Sequence, residues 1–175
     1  MLLDTFLEQA ERRAYHMALY ATKNPEEALD IVQDAMMKLA QQYGDKSSDE
    51  WPPLFHRILQ SRINDWFRRE NVRKKWRTWL SFTSNDEEIE DPLENIGEVV
   101  NNRPDDKLSQ SRAMSALDDA VNQLPLRQQQ AFLLRCWEGL STEQTAKAMN
   151  CSQGSVKTHY SRAIHQLREN LEDFI

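Results

Sequence analysis

The sequence predicts an all-α protein: two small helical domains joined by an acidic flexible linker, the second ending in a helix-turn-helix. Three observations predict this. The chain has only four glycines in 175 residues. Apolar positions recur at steps of three and four in every block outside residues 81–106. Residues 140–164 read as two helices around a sharp turn, each with a start signal. The expected domains are residues 1–80 and 107–175, with the linker at 81–106.

The first helix is expected over residues 2–21, where Leu3, Phe6, Leu7, Ala10, Ala14, Met17 and Ala18 form one stripe. Asn24-Pro25-Glu26-Glu27 opens the second: an Asn cap, Pro in the first turn and acid three residues after the cap. That helix buries Ala28, Ile31, Val32, Ala35, Met36 and Leu39 and ends at Gly44. Its other face carries Asp30, Gln33, Asp34 and Met37. After a polar loop and Trp51-Pro52-Pro53, a third helix points Leu54, Phe55, Ile58, Leu59, Ile63, Trp66 and Phe67 inward. It runs on into Arg68, Arg69, Arg73, Lys74, Lys75 and Arg77. Helical spacing resumes with Leu108, Met114, Leu117, Val121 and Leu124, and Pro125 opens a helix with Ala131, Phe132, Leu134 and Trp137.

Gly139 stops that helix. Ser141 with Gln144 has capping-box spacing, and Ala146 and Met149 point inward. Asn150 falls at the turn, where its tolerance of the left-handed region lets it replace glycine. Ser152 caps the last helix, whose buried stripe is Val156, Tyr160, Ala163, Ile164, Leu167 and Leu171. The opposite face carries Ser155, Lys157, Thr158, Ser161 and Arg162, with His159 on its flank. Lys and Arg neutralise phosphates or donate to guanine, and hydroxyls reach phosphate or base edges, so this face suits the major groove of DNA.

The net charge of −6 is unevenly distributed. Residues 62–85 hold seven basic and two acidic side chains, whereas 86–106 hold one basic and nine acidic. A basic block therefore precedes an acidic tether, which reads as a linker without fixed structure when free. No apolar run approaches the roughly 20 residues of a membrane span. The amphipathic start, with Asp4, Glu8 and Glu11, predicts no signal peptide and a cytoplasmic protein. Cys136 and Cys151 have no paired spacing and read as reduced thiols. The four histidines are scattered and build no metal-ligand spacing. No cofactor and no catalytic residue is expected.

Two blocks of this chain resemble one family. Glu27-Ala-Leu-Asp-Ile-Val-Gln-Asp-Ala-Met36 and Trp51 through Arg69, including Ile58, Asp65, Arg68 and Arg69, look like region two of the RNA polymerase sigma factors of the extracytoplasmic-function type. Leu124-Pro-Leu-Arg-Gln-Gln-Gln-Ala-Phe-Leu-Leu-Arg135 and the helix-turn-helix look like region four. Four positions depart from the family pattern: Ser61 in place of Asn, Asn150 in place of Gly, and Lys157 and His159 where Arg is common. These bear on which promoter is read.

The resemblance implies a subunit that binds core RNA polymerase and promoter DNA and directs transcription initiation. Asp30, Gln33, Asp34 and Met37 would meet the polymerase clamp. Ser61, Arg62, Asn64, Asp65, Arg68, Arg69, Arg73 and Lys74 would read and open the −10 element. Ser155, Lys157, Thr158, His159, Ser161 and Arg162 would read the −35 element. An anti-sigma factor is a further candidate partner. Trp76 and Trp79 lie among cations, as in single-strand binders, whereas Trp66 fits the core stripe. The rival readings are a stand-alone helix-turn-helix regulator, an anti-sigma decoy and a metal-dependent nuclease. The first leaves residues 24–79 unexplained, and the last would need metal ligands on an unframed segment.

Overall fold

The computed structural model describes residues 2–83 and 108–172; residues 84–107, most of the acidic tether, lie outside the described residues. The described chain is helical: α1 Leu3–Thr22, α2 Pro25–Tyr43, α3 Trp51–Thr83, α4 Leu108–Asn122, α5 Leu126–Phe132, α6 Thr142–Met149 and α7 Gln153–Asn170. A wide π turn, Leu133–Trp137, continues α5.

The local signals act as their chemistry dictates. Asn24 accepts hydrogen bonds from the Glu26 and Glu27 amides, and Pro25 occupies the first turn, where a missing N–H costs nothing. Gly44 ends α2 with an ordinary helical φ. Glycine is needed there for space, because a Cβ would come within 2.7 Å of the Ala40 carbonyl oxygen. Trp51 begins α3 and donates its indole N–H to the Tyr43 carbonyl at 3.1 Å, which ties together the two ends of the polar loop.

The first module, α1 to α3, buries Ala14, Met17, Ala18, Val32, Ala35, Leu39, Phe55, Leu59 and Ile63. Each fully buried large side chain contributes about 1.5–3 kcal/mol by leaving water. Leu3 and Met36, expected inside, are only partly buried against this core. Trp66 is likewise partly buried and packs edge-on against Phe67 at 5.3 Å. From Arg68 onward α3 leaves the body and continues to Thr83, three residues past the expected boundary. Arg73 and Arg77 both lean on Glu70 along this projecting stretch.

The second module, α4 to α7, is built around Val121, Leu124, Ala131, Leu134, Met149, Val156 and Ala163. Met114 was expected in its stripe but is 56% exposed. Burial on α4 begins at Ala120, next to Val121, whose carbonyl accepts a hydrogen bond from the Gln129 side chain of α5 at 3.0 Å. Trp137 is 38% exposed at the end of the π turn. The two modules also touch: α3 packs on α6, and α1 packs on α4 and α5.

Candidate nucleic-acid interface

The helix-turn-helix forms as its sequence requires. Gly139 has φ +66° and breaks the chain direction. Ser141 and Gln144 exchange both hydrogen bonds of a capping box, at 3.1 and 2.8 Å. Asn150 takes φ 51° and ψ 52°, the left-handed conformation that ends α6. Ser152 then accepts from the Ser155 amide and caps α7. Arg127, from α5, donates to the Met149 carbonyl at 2.8 Å and so satisfies an orphaned acceptor at the end of α6.

These contacts fix the direction in which α7 faces. Val156, Ala163 and Leu167 are buried, while Lys157, Thr158, Ser161 and Arg162 are exposed and Ser155 and His159 sit at the margin. All six residues proposed from the sequence for duplex reading thus lie on or beside one accessible surface. Two have local engagements. The Thr158 hydroxyl donates to the Gly154 carbonyl and remains free to accept; the Ser155 and Ser152 hydroxyls lie 2.9 Å apart. Burial, together with the charges of Arg127 and Arg162, holds the His159 imidazole below its ordinary 6.5. Its charged form is thereby disfavoured, which tilts it toward hydrogen bonding rather than charge.

The second surface lies between α2 and α3. Asp30, Gln33, Asp34 and Met37 line one side of an open groove of about 670 Å³, and Arg62, Asp65, Arg68 and Arg69 line the other. Sequence reasoning assigned these two sets to different partners; the fold places them in one groove. Arg62 stands 3.9 Å from Asp34, a partly exposed pair of little energetic weight. Met37 is 58% exposed. Ser61 is exposed, and Arg73 and Lys74 lie on the projecting part of α3 beside Trp76 and Trp79, whose rings meet edge-on at 5.5 Å. Asn64 differs from the rest, because its side-chain oxygen accepts a hydrogen bond from Gln130 of α5 at 3.0 Å.

Sequence reasoning missed the residues between the modules. Glu138 reaches into the first module, where His56 Nε2 lies 3.0 Å from Oε2 and Arg13 Nε donates to Oε1 at 2.9 Å. The side chains of Glu138 and His56 are 7% and 4% exposed. Burial pushes the Glu138 carboxyl up, but His56 and then Arg13 outweigh that and hold it below the ordinary range. The one available signal was the run Gln128-Gln129-Gln130, which carries two polar residues into the buried positions before Ala131. Among the described residues no cluster of His, Cys, Asp or Glu could hold a metal, and no helix is long and apolar enough to cross a membrane.

Both surfaces fall inside recognisable family segments. Residues 6–78 match the model of Sigma-70 region 2, and residues 114–167 match that of Sigma-70, region 4. The chain is also 34% identical to an RNA polymerase sigma-E factor of Streptomyces antibioticus over 152 residues, 85% of this chain and 73% of that protein. The chain belongs to the extracytoplasmic-function sigma factors. This sigma factor also resembles the ECF RNA polymerase sigma factor SigX of Bacillus subtilis, at 24% identity over 98% of its own length and 82% of that relative. Its fold matches the sigma factor RpoE of Bartonella quintana, solved in complex with the anti-sigma factor NepR. The TM-score is 0.63 and the identity 23%, over 97% of this chain and 96% of that one. The α1–α3 module is thus the region-two part and the α4–α7 module the region-four part, and the protein acts in transcription initiation.

Proposed function

We propose that this sigma factor mounts on core RNA polymerase through the α2 side of the groove and reads promoter DNA at two places. The α7 face reads the −35 element as duplex. The α3 side, from Ser61 to Lys74, reads the −10 element and holds it open. The observation that carries this reading is the α7 surface. Six polar or basic side chains lie along one accessible side of a helix whose direction is fixed by two caps and a left-handed Asn. Phosphate contacts from Arg162 and Lys157 position the helix, and the hydroxyls and His159, whose charged form is disfavoured, reach base edges.

Region-two recognition draws on different physics. Arg62, Arg68 and Arg69 supply a cationic lining along which a single strand can run, and Trp76 and Trp79 offer flat surfaces on which unstacked bases can rest. Asp30, Gln33, Asp34 and Met37 combine acid, amide and an exposed apolar tip, a composition suited to a protein partner rather than to DNA. An anti-sigma factor is a further partner in this reading, supported by the fold neighbour having been solved with one.

The experiment that tests it is run-off transcription with purified core polymerase on genomic fragments, followed by mapping of start sites. Discrete starts that share a motif near −35 and another near −10 are expected. Failure to assemble with core, or starts no different from those of core alone, would overturn the reading.

A further inference from the structure

We propose that the projecting end of α3 is an amphipathic docking helix for an anionic lipid surface. Val72, Trp76, Trp79 and Leu80 enter the headgroup region, and Arg73, Lys75 and the neighbouring cations hold lipid phosphates. The inference goes beyond the two-site promoter reading and does not depend on it.

The sequence builds an apolar face on this stretch that the core does not use. At 3.6 residues per turn, Val72, Trp76, Trp79 and Leu80 fall within an arc of about 100°. They are 53%, 58%, 57% and 55% exposed. Residues 71–81 are exposed throughout, so these four side chains stand apart from the core that Phe55, Leu59 and Ile63 of the same helix enter. Single exposed apolar residues are ordinary, but four on one face make a patch. Lys75, Trp76 and Trp79 also line a shallow hollow of about 280 Å³.

Charge complementarity names the occupant. Between Trp66 and Thr83 the chain carries six basic side chains and one acid, Glu70, a local charge of +5 in a protein of −6. Arg73 and Arg77 lean on Glu70 through partly exposed, weak pairs that phosphate can replace. Lys75 borders the apolar arc on one side and Arg73 on the other. Their stems can lie along the apolar surface while their charged heads reach phosphate. A helix with Trp and aliphatic side chains on one face and cations beside it lies in the plane of an anionic interface, and indoles favour that depth. The helix is neither long nor apolar enough to cross a bilayer, so it rests on the surface. Other occupants fit less well. A second copy would set six cations against six. A single strand could use the cations and the indoles, but it leaves Val72 and Leu80 without a role. The exposed stretch is convex, and a bilayer, unlike a protein partner, needs no matching shape.

The test uses the full chain with vesicles of equal parts phosphatidylglycerol and phosphatidylcholine, and phosphatidylcholine alone as the control. The chain should cosediment with the anionic vesicles and not with the control, and partitioning should fall as salt screens the surface. Arg73→Gln combined with Lys75→Gln should weaken partitioning about 25-fold, since each cation near an anionic leaflet strengthens it about fivefold. Leu80→Asn should weaken it roughly tenfold through lost apolar burial. Leu80 lies outside the promoter-reading residues and is exposed, so Leu80→Asn should keep wild-type run-off transcription and wild-type helicity. No cosedimentation with anionic vesicles overturns the proposal. So does partitioning that Leu80→Asn leaves unchanged, because the adsorption would then be purely electrostatic. Run-off lost in Leu80→Asn with partitioning intact would assign the face to polymerase or nucleic acid, and that outcome also overturns it. A wild type inactive in run-off would sink the promoter reading instead, and the vesicle result would still decide this one.

Discussion

His159 illustrates how a side chain's surroundings decide what it can offer DNA. Partial burial and the neighbouring Arg127 and Arg162 guanidinium groups push the imidazole below its ordinary pKa and so disfavour its charged form. Replacing it with Ala should leave the salt dependence of −35 duplex binding unchanged, whereas Arg162→Ala should lower the slope of log K against log salt by about one. Fluorescence anisotropy on a labelled −35 duplex over a salt series measures both. Glu138 makes the opposite case, a carboxylate stabilised by its fold. Its pKa lies below the ordinary 4.5 in the folded protein, so its contribution to stability is complete above that value. It is lost as pH falls further, through the folded pKa. Melting temperatures from pH 7 to pH 3 should drop more steeply for wild type than for Glu138→Gln.

At the scale of single elements, the helix-turn-helix depends on two local devices. Asn150 is held in the left-handed region, so Asn150→Ala should destabilise the region-four module by about 1–2 kcal/mol and Asn150→Gly should be nearly neutral. Ser141→Ala removes one half of the capping box and should cost about 1 kcal/mol. Urea unfolding of the full chain checks these three variants. These elements were legible in the sequence because every signal lies within a few residues of its effect: Ser141 with Gln144, Asn150 at the turn, the stripe from Val156 to Leu167. The α2 face was legible for the same reason, since Asp30, Gln33, Asp34 and Met37 share a side opposite a complete apolar stripe. Asp34→Lys should weaken assembly with core polymerase in a pull-down while leaving α2 folded, because Asp34 is exposed and its Arg62 contact is long. Met114 could not be placed this way, because spacing alone does not say whether a neighbouring helix covers a stripe along its whole length, and Met114 is exposed.

The arrangement of the whole molecule was the least legible. Its deciding contacts join residues about a hundred positions apart, and their residue types suggest solvent. Glu138, Arg13 and Gln130 each look like surface residues until the partner is known, and His56 looks like one scattered histidine among four. Only the partner makes burial tolerable, and pairing over that distance leaves no periodic trace. Trp137 lies on this same seam, with its ring 6.1 Å from both His16 and Tyr20 of α1. It therefore acts as a native optical probe. Parting the two halves would complete the hydration of this indole, already 38% exposed, and shift its emission to longer wavelength, while Trp51 stays enclosed, Trp66 keeps its contact with Phe67 of the same helix, and Trp76 and Trp79 are already wetted. The transition could thus be followed without attaching any dye.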